Sequence, residues 1–352
     1  MKTTLCTRLN LQYPLVQAPM AGVSTPELAA AVSNAGALGS ISVGASTPEQ
    51  AEVMIGKTQA LTAGPINVNV FCHPPVQRDA ALEQAWIQRF APLFRQYGAE
   101  PPAELSEIYQ TFQDNARMLE VLLTLRPAAV SFHFGIPSAA FIARLKAHGI
   151  VTFASATTPE EASWIAASQI DFIVAQGIEA GGHRGQFNLQ DDDRRLTTFT
   201  LLQAIRRVTD VPVIAAGGIM DGAGMAAMLK LGAAGVQMGT AFILCPESAA
   251  NQAYRRSLQS PQAADTVMVS AISGRPARCI NNAFCRFTRD VAQDSIPPYP
   301  LTYALGKALA AAAAAQGEPG FGAQWAGQGA TLAREMPAAQ LVQTLVAEWQ
   351  AG

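Results

Sequence analysis

The chain carries little charge. Of its 352 residues only 14% are Asp, Glu, Lys or Arg, the net charge is −2, and no long Lys/Arg run occurs. That argues against nucleic acid or an anionic membrane as a partner and leaves small molecules as the expected ones. Cysteine is sparse: Cys6, Cys72, Cys245, Cys279 and Cys285 are odd in number and form no C-x-x-C pair. A disulfide framework and a zinc site are therefore not expected, and a reducing compartment is. Residues 1–14 lack the apolar centre of a signal peptide, and the alanine-rich run at 308–315 is far shorter than the ~20 apolar residues of a membrane helix. A soluble, cytoplasmic protein is expected.

Several catalytic signatures are also missing. There is no H-E-x-x-H, G-x-S-x-G or G-x-x-x-x-G-K-[ST], so zinc peptidase, serine hydrolase and P-loop chemistry have no support. No G-x-G-x-x-G opens the first helix, which weakens a dinucleotide-binding reading. No metal is expected.

What the chain does have is apolar material, 49% of its residues, arranged in short runs. Strand-like segments appear at 15–20, 38–43, 66–71, 129–134, 151–154, 171–175, 211–216 and 235–240, with helical stretches between them. Pro26 and Pro48 mark helix starts, and Met225, Met228 and Leu229 recur at helical spacing on one stripe. This alternation predicts a (β/α)8 TIM barrel with inserted lid segments, although a doubly wound open sheet has the same alternation. Residues 72–116 are too long for a simple connection and are read as an excursion with helices around Trp86 and Tyr109. The expected division is a barrel core at 1–71 and 117–245, lid and substrate-pocket insertions at 72–116 and 246–330, and a C-terminal helix at 331–352 returning to the barrel. The second insertion reads as helical stretches plus the loop 297–300.

If the barrel is right, chemistry belongs at the C-terminal ends of the strands, and the unusual residues fall there. The stretch 176–185, Gln-Gly-Ile-Glu-Ala-Gly-Gly-His-Arg-Gly, reads as a flexible glycine loop that lets a ligand approach the backbone and carries His183. Gly217-Gly218 and Met238-Gly239-Thr240 follow the last two strands, where glycines free N–H groups for an anion, so a phosphorylated ligand or cofactor is expected. Asn69 and Gln176 are strand-end amides suited to the edge of a heteroaromatic ring. His133 alternates with Val130 and Phe132 and reads on its own as a structural histidine; His73 and His148 stand in no pattern. Tyr109, Tyr254, Tyr299 and Tyr303 lie in the two insertions, with Lys307 one helical turn beyond Tyr303; phenols beside one lysine make a plausible anion pocket.

Taken together, Gln17-Ala18-Pro19-Met20-Ala21-Gly22, Ala31 to Gly36, Val130 to Gly135, Gln176 to Gly185, Pro212 to Ile219 and Ala323 to Gln328 resemble the signature blocks of the nitronate monooxygenases, formerly 2-nitropropane dioxygenases, in their bacterial class I branch. The resemblance runs over nearly the whole chain. It implies an FMN-dependent enzyme that oxidises alkyl nitronates, propionate 3-nitronate above all, with O2 through a flavin semiquinone, giving an aldehyde (3-oxopropanoate) with nitrite or nitrate. Carried over by position, the cofactor residues are Ala18, Pro19, Met20, Asn69, Gln176, Gly181, Gly217, Gly218, Gln237, Met238, Gly239 and Thr240. His183 is the catalytic residue, and Tyr109, His133, Tyr254, Tyr299, Tyr303 and Lys307 line the substrate pocket. The Trp325 block receives no role. Nitronate and O2 are the implied partners of a monomer or homodimer. The rival reading is an FMN-dependent NADH:quinone or enoyl-thioester reductase, and beyond enzymes, a flavin-binding module without turnover.

Overall fold

A computed structural model describes residues 3–351. Its parallel strands are β1 (Leu15–Gln17), β2 (Gly39–Ser42), β3 (Ile66–Phe71), β4 (Ala129–His133), β5 (Val151–Ala156) and β6 (Phe172–Gln176). After a two-residue strand β7 (Gly182–His183) that joins a different sheet come β8 (Val213–Ala216) and β9 (Gly235–Met238). The eight parallel strands lie in the order β1-β9-β8-β6-β5-β4-β3-β2. The ends of that row meet: Val16 bridges Leu38, the Leu38 N–H donates to the Leu15 carbonyl at 2.9 Å, and the Gln17 N–H donates to the Leu38 carbonyl at 2.9 Å. The sheet thus closes into a (β/α)8 TIM barrel, and the open doubly wound alternative is excluded.

The turns from strand to helix repeat one chemical device. Thr25, Thr47 and Thr158 each stand just before a proline that opens a helix (Pro26–Asn34, Pro48–Leu61, Pro159–Ala167), and each hydroxyl accepts an otherwise orphaned N–H, from Leu28, Gln50 and Glu161. Proline fits the first helical position because its missing N–H would have no partner there, and each cap contributes about 1 kcal/mol. The stripe expected at Met225, Met228 and Leu229 lies on helix Gly222–Lys230 and packs into the layer between helices and strands.

Inside the barrel, the end where strands begin is plugged by apolar groups. Leu5 and Leu9 of helix Thr4–Leu9 pack there with Val16, Phe153, Phe172 and Ile214. Nearer the other end the interior is polar and joined by side-chain hydrogen bonds, although Asn67 Oδ1 is buried without a partner among the described residues. Asn67 donates to Ser40 and Ser131, Asn69 donates to the Ser131 carbonyl and hydroxyl, and Ser42 donates to Asn69, each at 3.1 Å. The pairing of Ser42 with Asn69 and of Asn69 with Ser131 across β2, β3 and β4 sets these contacts, so register alone builds the polar layer.

Two excursions cover the C-terminal end. The first holds helix Ala80–Gln96 around Trp86, as expected, but Tyr109 lies on irregular chain with bends, downstream of Pro101 and Pro102, which disfavour helix. The second contains helices Gln252–Leu258, Ala283–Phe287 and Leu301–Ala315. It also has two strands that the sequence did not suggest, β10 (Thr266–Val269) and β11 (Ala277–Ile280). β10 pairs antiparallel with β11, and β11 with β7, so the stretch read as a flexible glycine loop is in part a strand tied down by chain a hundred residues later. The two excursions share a core in which Trp86, Phe90 and Phe94 meet Phe284, Leu301, Leu305 and Leu309. Each such side chain contributes ~1.5–3 kcal/mol by leaving water. Helix Ala338–Ala351 packs on helices Pro26–Asn34 and Gly222–Lys230. All five cysteines are buried free thiols, and no helix among the described residues is long and apolar enough to cross a membrane.

Candidate active site

A cavity of about 450 Å³ opens between the strand ends and the two excursions. Every residue singled out from the sequence lines it. From the barrel come Ala18, Pro19, Met20, Asn69, His133, Gln176, Gly181, His183, Gly217, Gly218, Gln237, Met238, Gly239 and Thr240; from the excursions come Tyr109, Tyr254, Tyr299, Tyr303 and Lys307. The volume lies in the ~300–1,000 Å³ range of small-molecule sites.

The barrel wall is largely main chain. Gly217 and Gly218 have φ of +122° and +70°, a left-handed turn after β8 that residues with a Cβ rarely adopt. The N–H groups of Gly218, Gly239 and Thr240 make no loop or cap hydrogen bond among the described residues. Gln237, half-buried at the end of β9, makes no side-chain hydrogen bond among the described residues. The two amides expected to meet a ring edge are more committed. Asn69 is held on both sides by Ser42 and Ser131. Gln176 donates to the His183 carbonyl at 2.9 Å and accepts from the Gly185 N–H at 2.7 Å.

Arg184 is one reason the loop after β6 is rigid. It is 1% exposed, grips Asp193 through two hydrogen bonds of 2.8 and 2.9 Å, and donates to the Gln176 carbonyl at 2.6 Å. His183 then sits at the centre of an aromatic collar, with ring centroids 5.5 Å from Phe134, 5.6 Å from Tyr299, 6.3 Å from Tyr303 and 5.1 Å from Trp325. Burial, then the neighbouring His133 and Arg275, hold its pKa at about 3, so the imidazole is neutral. His133 is also neutral, at about 4, chiefly through burial. Its Nε2 lies 3.1 Å from the His183 carbonyl, which can only accept, so Nε2 carries the proton and Nδ1 accepts from Ser155 Oγ at 2.9 Å. Both ring nitrogens of His133 are therefore engaged, and what it offers the cavity is ring surface.

The lid wall is made of side chains. Lys307 Nζ stands 5.0 Å from the Tyr109 ring and 5.2 Å from the Tyr303 ring, with no carboxylate partner among the described residues. Its pKa is lowered by burial. Burial raises the pKa of Tyr303 to about 12 and pushes those of Tyr109, Tyr254 and Tyr299 higher, so all four phenols keep their protons near neutrality. Tyr254 spends its hydroxyl on the Trp325 carbonyl. The Tyr299 hydroxyl is sealed off without a partner.

Sequence reasoning missed three contributors. Trp325 forms wall beside His183 and Tyr303, on a segment that bridges Cys279 of β11 and whose Gly327 N–H donates to Thr240 Oγ1 at 3.0 Å. His73, which had stood in no pattern, is enclosed behind Tyr299 with ring centroids 5.0 Å apart and neither nitrogen paired. Ser273 meets His183 from β11's side of the site. Only the Trp325 block left a trace in the sequence, as a block without a role; the others are single polar residues remote from the loop they serve.

The sequence profile of the nitronate monooxygenases matches residues 2–348. The chain belongs to the nitronate monooxygenase family. The nitronate monooxygenase of Paraburkholderia phytofirmans is 53% identical over 347 residues, spanning 99% of this chain and 95% of that one. That of Pseudomonas aeruginosa is 52% identical over 343 residues, with 97% of each chain covered. Among solved structures, nitroalkane oxidase from Streptomyces ansochromogenes superposes with a TM-score of 0.90 at 39% identity, over 99% of this chain and 98% of that one. FabK from Thermotoga maritima superposes with a TM-score of 0.76 at 27% identity, over 100% of this chain and 97% of that one. This nitronate monooxygenase family member is thus an oxidoreductase of small molecules.

Proposed function

We propose that the chain binds FMN against its barrel wall and uses O2 to oxidise an alkyl nitronate bearing a carboxylate, propionate 3-nitronate in the first place, to 3-oxopropanoate with nitrite or nitrate. The observation that carries this reading is the contrast inside one cavity: unpaired amide donors on one side, an unpaired cation among phenols on the other.

The donor set fits the cofactor. The N–H groups of Gly218, Gly239 and Thr240 suit a phosphate, because they are fixed donors at the mouth of two adjacent strands. The free carboxamide of Gln237 and the remaining amide hydrogen of Gln176 suit the polar edge of a flavin, and Ala18, Pro19, Met20 and Gly181 give it small or flexible surface. FMN, when bound, supplies the one-electron oxidation of the nitronate and the transfer of electrons to O2.

The protein's own residues bind and orient. Lys307 attracts the anion, and its flanking phenols Tyr109 and Tyr303 donate to the carboxylate or nitronate oxygens. The neutral imidazole of His183 adds no competing charge to the wall opposite. Residues 72–116 and 246–330 act as the substrate lid, because together they shut the aromatic collar away from water.

An absorption spectrum of the purified protein, followed by oxygen uptake with propionate 3-nitronate, tests the reading. A flavin spectrum with nitronate-dependent oxygen uptake supports it. A colourless protein, or a flavin bleached by NADH without oxygen and inert to nitronate, overturns it, the latter in favour of the reductase.

A further inference from the structure

His183 Nε2 lies 2.8 Å from Ser273 Oγ, and that hydroxyl, on a fully buried residue, lies 3.2 Å from the Arg275 carbonyl oxygen. A carbonyl only accepts and a hydroxyl has one hydrogen to give. One arrangement satisfies all three groups: Nε2–H donates to Ser273 Oγ, and the Ser273 hydroxyl donates to the Arg275 carbonyl. The reverse, with Ser273 donating to Nε2, strands a carbonyl that has no other donor among the described residues. His183 Nδ1, in turn, has no hydrogen-bond partner among the described residues, yet it is not one of the sealed polar atoms, so it opens on the cavity that the ring lines.

We infer that Ser273 is a positioning residue that fixes His183 as the Nε2–H tautomer, so that the nitrogen facing the cavity is Nδ1, an unprotonated acceptor.

The surroundings of the ring are built to keep this arrangement. The His183 backbone cannot rotate away, because its carbonyl takes two donors, Gln176 Nε2 at 2.9 Å and His133 Nε2 at 3.1 Å, and its strand pairs with Ala277. The turn that carries Ser273 is anchored by Arg275, 2% exposed, which donates to the Gln186 carbonyl and stacks its guanidinium 4.4 Å from the Phe134 ring centroid. Arg275 has no carboxylate partner among the described residues, and its charge joins burial in keeping a second proton off the imidazole. Gly274 holds the turn at φ +92°, where a Cβ would meet the Tyr299 nitrogen at 2.3 Å. Serine, glycine and arginine here form one device whose output is the direction of a lone pair.

Resting on the proposed activity, the consequence is orientation. An acceptor nitrogen repels nitronate and carboxylate oxygens, whereas Lys307 attracts them, so the anion is turned with its oxygens to the lid cation and its C–H side to His183. Ser273 acts only through His183 and is not itself one of the residues that line the cavity.

The decisive test needs no turnover. In the full chain labelled with 15N-histidine, long-range 15N–1H correlation at neutral pH is expected to show a pyrrole-type Nε2 and a pyridine-type Nδ1 for His183, and a mixture of tautomers in Ser273→Ala. A wild-type spectrum with the proton on Nδ1, or averaged between the two nitrogens, overturns the inference. The kinetic arm expects Ser273→Ala to lower kcat on propionate 3-nitronate about 10- to 100-fold, the usual cost of losing a partner that orients a histidine, with KM changed less than about threefold and Ser273→Thr restoring much of the rate. An unchanged kcat in a folded, flavin-containing Ser273→Ala also overturns it. Because the spectra are independent of substrate, failure of the nitronate assignment leaves this arm standing and readable.

Discussion

On the barrel side, the cavity is bounded by main chain: glycines at the ends of β8 and β9, small residues after β1, and the amides of Asn69 and Gln176, whose side chains are committed to serines and main chain. On the lid side it is bounded by the ends of long side chains, four phenols, an indole and an ammonium group, carried on segments from two separate excursions. A main-chain wall recognises what all ligands of a kind share, in the function proposed above a phosphate and a planar ring, and single substitutions alter it only by blocking it. A side-chain wall is where substrate choice is written, residue by residue. The division also explains why FabK superposes over the full chain at only 27% identity: a shared barrel wall places few demands on the residues facing it.

The largest effect that would sharpen this contrast is steric. A Cβ on Gly181 would sit 2.5 Å from the Gly327 nitrogen, so Gly181→Val is expected to abolish flavin retention and lower oxygen uptake at least about 100-fold. A variant that stayed yellow would show that the barrel wall is more yielding than a main-chain surface ought to be. Next comes Lys307→Met. Removing a charge-assisted contact is expected to raise KM for propionate 3-nitronate about 10- to 100-fold while the flavin content stays at the wild-type level. If flavin were lost as well, the walls would not be separable.

A third prediction concerns pH. The folded-state pKa values of His73, His133 and His183 are about 4, 4 and 3, below the ~6.5 of the unfolded chain, with burial the largest cause in each. Between those values the unfolded state binds more protons, so stability falls as the pH drops below about 6.5, by at most about 1.4 kcal/mol per pH unit for each histidine, and the contribution is complete above it. Urea denaturation at pH 7 and pH 5 measures the slope. His73→Phe should flatten it from the lid side and His133→Gln from the barrel side, and a slope untouched by both would remove these histidines as its source. The smallest effect is expected from Tyr254→Phe, which loses one hydrogen bond to the Trp325 carbonyl: about a threefold rise in KM and no change in flavin, read from steady-state kinetics.

The barrel was legible because its signals are local. Each strand is a short apolar run, and Pro26 and Pro48 announce two of the helices, so periodicity and helix-start signals suffice. The strand-end glycines could be found for the same reason, since a barrel puts its site at a known end of every strand. β10 and β11 could not be found in that way. Their residues gain strand geometry from pairing with Gly182 and His183, a partner remote in the sequence, and without it neither run is distinctive. Tyr109 was expected on a helix, but its segment takes its position from contacts across the fold, with Tyr299, Tyr303 and Lys307 around the ring and the Phe112 N–H donating to the Phe71 carbonyl. Ser273 and His73 are mute in sequence for a related reason: what matters about them is which polar atom they face, and that is decided across the fold.

The stretch around Gly327 closes the pocket from far downstream. The Gly327 N–H donates to Thr240, the Gln328 N–H donates to the Glu179 carbonyl, and a Cβ on Gly327 would fall 2.7 Å from that same oxygen. A growing polypeptide can complete every barrel strand while one flank of the bowl still stands open, and that flank is filled only by residues that come after 323. Chains truncated before residue 323 should therefore retain less of the proposed flavin than the full chain, which absorption spectra of the two purified proteins measure.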